Sequence, residues 1–137
     1  MKKPAFSQKI LVILLAVAIL LFLASWFYGK QSEASRNEVR AAEVVELRDA
    51  IYSFVYDNGA YPGCLKVQGV VPEIDIQRCR NFVEEITESG LYLKEVPTDI
   101  GSDGWATGYS VAKGADNQVT VNALLAEGGE VIAARTN

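Results

Sequence analysis

The stretch ILVILLAVAILLFLASWFYG, from Ile10 to Gly29, decides how this chain is organised. It contains no charged residue and consists mostly of Leu, Ile, Val, Ala and Phe. As a helix it would extend about 30 Å, which matches the hydrocarbon core of a bilayer. A buried core helix is the alternative, but such helices are rarely this long and apolar on every face. The stretch therefore predicts a transmembrane helix over residues 10–29.

Charges on either side of this segment predict its orientation. Lys2, Lys3 and Lys9 are the only charged residues before it, in a short basic leader over residues 1–9. The other ten basic residues and all 17 acidic residues follow it, so residues 30–137 carry a net charge of −7. Short basic flanks stay in the cytoplasm. We therefore expect a single-pass protein of the cytoplasmic (inner) membrane, with residues 30–137 as an extracytoplasmic domain.

A cleaved secretory signal is the main alternative for the apolar segment. Its basic start suits a signal peptide, but the segment is longer than a usual signal core. The tripeptide Leu23–Ser25 is only a weak substitute for a cleavage site, whereas the aromatic run Trp26–Tyr28 suits the water–lipid boundary of an anchor. The acidic balance of the exported part also disfavours direct contact with nucleic acid.

The helix is predicted to continue beyond the membrane, because Ser32–Tyr56 contains neither Pro nor Gly. We expect one helix from about Ile10 to Tyr56, with a bend allowed at Gly29 and a left-handed cap at Asn58 or Gly59. Apolar residues at spacings of three and four predict one buried stripe along its second half: Val44, Leu47, Ile51, Phe54 and Val55.

Cys64 and Cys79 both lie in the part predicted to be exported. In an oxidising compartment an even count in so small a domain indicates a disulfide, worth about 3 kcal/mol for a loop of this length. Two free thiols in a reducing setting are the alternative. Zinc is disfavoured, because the sequence has no histidine to complete a site.

The remaining sequence predicts an α+β fold. Residues Asp75–Ser89 read as a second short helix in the connecting loop, with Asp75 as its N-cap and Gly90 past its end. After Pro97 three short strands are predicted, joined by turns at 116–117 and 127–129. The strands lie at Tyr109–Val111, Gln118–Ala123 and Val131–Ala133 and form a small antiparallel sheet packed on the long helix.

Three segments resemble one protein family in their order and spacing. AEVVELRDAIYSFVYDNGAYP (Ala42–Pro62) resembles the helix end of major pseudopilins, with its pattern L..AL..Y..DNG.YP. GLYLKEVPTDIGSDGWATGYSV (Gly90–Val111) resembles the family's step YL..LP.DP, and QVTVNALLAE (Gln118–Glu127) the strand that follows. The chain thus resembles type IV pilins and type II secretion pseudopilins over nearly its whole length. This resemblance implies a pilin-like fold for residues 30–137.

The N-terminus departs from the family's pattern. Prepilins resemble one another in a basic leader that ends in Gly before Phe, and in a Glu at the fifth mature position. Here Ala5-Phe6 is the candidate processing junction, which would place Ile10 at the fifth position. In the family that carboxylate is thought to pair inside the membrane with a neighbour's amine, since a buried charge needs a partner. Its absence suggests a minor or non-canonical subunit.

These features predict a structural protein rather than an enzyme. There is no histidine for general-base work and no nucleophile or phosphate-binding motif. The resemblance implies a subunit of a type IV pilus, a type II secretion system or a DNA-uptake filament. Its expected partners are membrane lipid, other pilin-like subunits and an assembly platform. The alternative is a membrane-anchored extracytoplasmic binding or scaffolding domain that never polymerises.

Calcium is the one metal for which the sequence offers ligands. Asp99, Ser102 and Asp103 supply oxygen donors in a glycine-containing loop, which is the chemistry that calcium prefers. Similar pseudopilins often bind calcium in the loop region of the sheet. An ordinary polar turn is the alternative, because DIGSDG matches no complete coordination motif. No other cofactor is expected.

Overall fold

The structure is a computed structural model that describes the backbone of residues 8–136, with side chains from Ile10 onward except that of Ser89. The chain forms two compact units, one ending at Ser35 and one beginning at Arg36. We call them the apolar unit and the folded unit. Residues 1–7 of the leader, which include the candidate junction Ala5-Phe6, lie outside the described residues.

The apolar unit is helical and fully exposed over the uncharged stretch. Helix α1 spans Gln8–Asn58, and every described side chain in residues 10–29 is exposed. Among the described residues, α1 is the one helix long and apolar enough to cross a membrane by length and composition. Within the apolar unit these side chains have no core to pack on. The prediction of an apolar helix over residues 10–29 is thus confirmed.

The second half of α1 belongs to the folded unit and ends as predicted. Val44, Leu47, Ile51 and Phe54 are buried, as the spacing of the stripe predicted, and Val55 is half-buried against the same core. Gly59 has a φ of 65° and donates its N–H to the Val55 carbonyl at 2.8 Å. This left-handed residue stops the helix within three residues of the predicted end.

A four-stranded antiparallel sheet in the order β1-β2-β3-β4 packs on this half of α1. The strands are β1 (Val71–Asp75), β2 (Tyr109–Lys113), β3 (Val119–Ala123) and β4 (Ile132–Arg135). In the β2–β3 register, Val111 lies opposite Val121, and both are fully buried in the core shared with α1. The prediction of a meander packed on the helix is confirmed for its last three strands.

Strand β1 was not predicted. Its sequence VPEID lacks a clean alternation of polar and apolar residues, and Pro72 cannot donate to a ladder. The structure accommodates Pro72 at the edge of the sheet, where the β1–β2 register shifts between Val71 and Ile74. In an edge strand with a bulge, the alternation of polar and apolar residues is too weak to predict a strand from the sequence.

The prediction of one helix over Asp75–Ser89 is wrong in its extent. Asp75 ends β1 and caps a 3-10 turn (Ile76–Arg78), accepting from the Gln77 N–H at 2.9 Å. Helix α2 covers only Phe82–Thr87 and is followed by a second 3-10 turn (Glu88–Gly90). Asn81, with a φ of 63°, interrupts the helical path. This stretch nevertheless contributes four buried apolar side chains to the core, with Val83 half-buried beside them: Ile76, Cys79, Phe82 and Ile86.

Candidate functional site

A buried ion pair joins the beginning of the folded unit to the loop before β2. The Arg40 guanidinium donates from Nε to Asp99 Oδ2 at 2.5 Å and from its second terminal nitrogen to Oδ1 at 3.0 Å. The two side chains are 4% and 1% exposed. This hydrogen bonding lowers the pKa of Asp99, whereas burial alone would raise it. Both side chains are therefore charged, and the two hydrogen bonds between them fix their relative orientation.

A second set of contacts ties the same part of α1 to the loop between β3 and β4. Arg36 donates from Nε to Glu127 Oε1 at 2.9 Å. Asn37 donates to the Glu127 carbonyl at 2.9 Å and to Glu130 Oε2 at 2.8 Å, and it accepts from the Glu127 N–H at 3.0 Å. Asn37 also accepts from Arg40 at 2.9 Å, which links the two sets. We call these residues the polar clamp: Arg36, Asn37, Arg40, Asp99, Glu127 and Glu130.

The sequence carries a signal for the two arginines of the clamp. Arg36 and Arg40 precede Val44 and Leu47 at spacings of four, four and three, so both arginines lie on the helix face that is buried. A cation on such a face requires an acidic partner. The partners lie 59 and 91 residues away, which no local pattern reveals. The arginines were therefore predictable as a polar site, but their partners were not.

The residues predicted to bind calcium lie in the loop before β2, and one of them, Asp99, is itself part of the clamp. Both Asp99 oxygens accept from Arg40, and Oδ1 also accepts from the Gly101 N–H at 2.8 Å. Asp103 Oδ1 accepts from the Trp105 N–H at 3.0 Å, and the Ser102 N–H donates to the Asp99 carbonyl at 2.9 Å. Asp99 would have to leave Arg40 to become a calcium ligand, so the calcium site stays a prediction.

Another polar group from α1 reaches the sheet. Glu43 is half-buried and accepts a hydrogen bond from the hydroxyl of Tyr109, which is fully buried on β2. Burial raises the pKa of Tyr109, and the neighbouring carboxylate adds to the effect. The Tyr109 phenol therefore keeps its proton and donates it to the hydrogen bond with Glu43. Glu43 thereby links α1 to β2.

The predicted disulfide between Cys64 and Cys79 is present, with the two Cα atoms 5.2 Å apart. Next to it, Lys113 is buried on the core face of β2. Its ammonium donates to the Leu65 carbonyl at 2.5 Å and to that of Val67, and it lies 4.9 Å from the Tyr61 ring centre. The cross-link and this lysine together fix the loop after α1 to the sheet.

If the domain is exported and oxidised, a maleimide should label neither Cys64 nor Cys79 in the denatured protein until a reductant is added. Reduction should then expose both thiols together and lower the free energy of unfolding by about 2–5 kcal/mol. A control without reductant but with the protein expressed in a reducing cytoplasm should label fully. Strong labelling of both residues in the exported protein would rule out the disulfide there.

No family model, no curated protein and no solved structure matches this chain. Within the described residues, no group of three or more acidic, histidine or cysteine side chains is arranged to hold a metal ion. The chemistry available at the clamp is ion pairing and hydrogen bonding. The exposed apolar helix, the clamp and the disulfide are the features of the described residues that bear on function.

Proposed function

We propose that this protein is a membrane-anchored structural subunit of the pilin or pseudopilin kind, whose folded unit lies outside the cytoplasm. One observation carries the proposal, which is the composition of helix α1. It includes an exposed segment of twenty uncharged residues, and its second half packs on an antiparallel sheet. A water-soluble protein would not leave so large an apolar surface without a partner. Lipid, or the same segment of a neighbouring subunit, satisfies it.

The charge distribution supports the direction of this anchor. Three lysines precede the apolar segment, while the folded unit and its flank are acidic. The positive-inside rule places the lysines in the cytoplasm. The disulfide fits the opposite side, since such bonds persist in oxidising compartments.

The apolar segment would serve the subunit twice. Before assembly it holds the chain in the bilayer, and after assembly it packs against the same segment of other subunits. Helices in an apolar medium associate through small residues that allow close approach. Ala16, Ala18 and Ala24 supply such positions. The clamp keeps the sheet fixed to the start of the folded unit's helix, so that the folded unit moves as one body when the subunit is transferred.

A permanently anchored scaffolding domain is the second candidate function. Its specific support is Ile10, which stands where the family resemblance would place the fifth-position glutamate, with Lys9 just before it. A subunit without that carboxylate lacks the partner for a neighbour's terminal amine. The two candidates differ in one property, which is packing between apolar segments.

Cysteine scanning through residues 10–29 tests this difference. Each variant adds one cysteine to the chain, in which Cys64 and Cys79 remain paired with each other. The variants are expressed from the native locus, the membranes are oxidised, and linked products are separated without reductant. A subunit that assembles should give products of higher mass at positions on one helical face that includes small residues such as Ala16. Val39→Cys, outside the segment, serves as the control. Monomer alone at every position would exclude assembly and leave the scaffolding domain.

A further inference from the structure

Large apolar side chains are exposed on the loops at one end of the sheet. Ile100 and Val131 are each 90% exposed and Trp105 is 83% exposed. They lie on the loop before β2 and on the loop between β3 and β4. Two more exposed side chains belong to the second of these loops. We call the whole set the apolar rim: Ile100, Trp105, Leu124, Leu125 and Val131.

The clamp holds this rim at the end of the folded unit where Arg36 lies. Ile100 follows Asp99, which is paired with Arg40, and Val131 follows Glu130, which is bonded to Asn37. Trp105 lies two residues before Thr107, whose carbonyl accepts the Asp99 N–H at 2.8 Å. The turn between β2 and β3 is at the other end, where the Tyr61 hydroxyl donates to the Asn117 carbonyl at 2.6 Å. Both rim loops are thus tied to the first turns of the folded unit.

Chain length sets how far this end can be from the apolar segment. Arg36 follows Gly29 by seven residues. Even fully extended, seven residues span at most about 25 Å. The polar region on each side of a bilayer is about 5–8 Å thick. An anchor formed by residues 10–29 would therefore tether Arg36, and the loops bonded to its neighbours, within reach of the membrane surface.

We propose that the apolar rim docks on the membrane–water interface, with Trp105 as its central contact. Tryptophan is the residue that favours this boundary most, because its ring is apolar and its N–H is polar. Ile100 and Val131 add apolar area on either loop. The polar groups around them are compatible with a lipid surface, because Arg40 and Arg36 neutralise Asp99 and Glu127. Asp103 and Glu130 remain beside the rim, so the surface that fits is zwitterionic phospholipid rather than anionic lipid.

The inference rests on the proposed anchoring, and fluorescence of the full chain tests the two separately. The sequence has two tryptophans, so Trp26→Phe leaves Trp105 as the only one. The variant is reconstituted into phosphatidylcholine vesicles, and half of the samples contain lipid brominated near the top of the acyl chain. Trp105 should be quenched strongly by the brominated lipid. Its quenching by aqueous iodide should be severalfold weaker than in the denatured protein.

A matched control places the reporter at the far end of α1. Tyr56 is 81% exposed and lies two residues before the helix ends. In a chain that carries Tyr56→Trp, Trp26→Phe and Trp105→Phe, iodide should quench fully and brominated lipid should not. Equal behaviour of the two reporters would overturn the docking proposal.

Flotation of the same vesicles separates the failures. If the chain floats while Trp105 stays open to iodide and insensitive to brominated lipid, docking is overturned and the anchor stands. If the chain does not float with the vesicles, both the proposed membrane anchor and the proposed docking of the rim are contradicted. Protection from iodide without lipid quenching, lost when the protein-to-lipid ratio is lowered tenfold, would identify a second copy as the occupant and also overturn docking on lipid.

Discussion

Replacing Ile51 by aspartate should unfold the folded unit. Ile51 is fully buried in the core between α1 and the sheet. The variant loses the apolar contacts of the side chain and places an unpaired carboxylate in the same space, at a cost of about 5 kcal/mol or more. Domains of this size are stable by about 5–15 kcal/mol. Denaturant unfolding of the detergent-solubilised protein, followed by near-ultraviolet circular dichroism, measures the loss.

The adjacent residue supplies the control for this variant. Tyr52 is 55% exposed on the same helix, so Tyr52→Asp introduces the same charge and a similar change in helix propensity without entering the core. It should change the free energy of unfolding by less than about 1 kcal/mol. Equal stability of the Ile51 and Tyr52 variants would contradict the packing of α1 on the sheet.

Replacing Arg40 by methionine should cost about 3–5 kcal/mol, because it leaves the Asp99 carboxylate buried without its partner. Since Arg40 lowers the pKa of Asp99, the stabilisation is complete above the unfolded pKa of about 3.9 and declines as the pH falls below it. The difference in stability between wild type and variant should therefore be largest at neutral pH and smaller at pH 3. Denaturant unfolding at the two pH values measures both effects.

Two further variants show whether the loss comes from the broken pair. Arg40→Met combined with Asp99→Leu removes both charges and should recover much of the stability. Arg48→Met removes an arginine from the partly exposed pair with Asp49 and should cost less than about 1 kcal/mol. A double variant no more stable than Arg40→Met alone would show that the buried pair is not the cause.

Much of the fold follows from local features of the sequence. The run from Ser32 to Tyr56 has no helix breaker and a clear apolar stripe, and Gly59 provides the stop; α1 was accordingly predictable. Strand β3 alternates cleanly between buried and less buried residues, whereas β2 does so only in part because Ser110 is buried as well. The disulfide was also inferred, because both cysteines lie in the small domain after the apolar segment.

What could not be predicted depends on partners distant in the chain. Strand β1 is defined by pairing with β2 rather than by its own sequence. Asn81 separates α2 from the preceding 3-10 turn through a backbone conformation that its neighbours do not indicate. The hydrogen bond between Glu43 and Tyr109 depends on where β2 lies, which the sequence around Glu43 does not indicate. The clamp combines residues from three parts of the chain. Its arginines carried a local signal, whereas its carboxylates did not.

The mass of the intact protein extracted from the membrane tests the anchored-subunit account most directly. The protein is expressed with its native prepilin peptidase, and its mass is measured without reductant. We expect a chain that retains residues 10–29 and begins at Phe6, with both cysteines oxidised. A chain that retains Met1 or Lys2 would instead indicate a permanently anchored domain. A chain that begins beyond Ala24 would contradict the account, because the apolar segment would then be a signal peptide rather than an anchor.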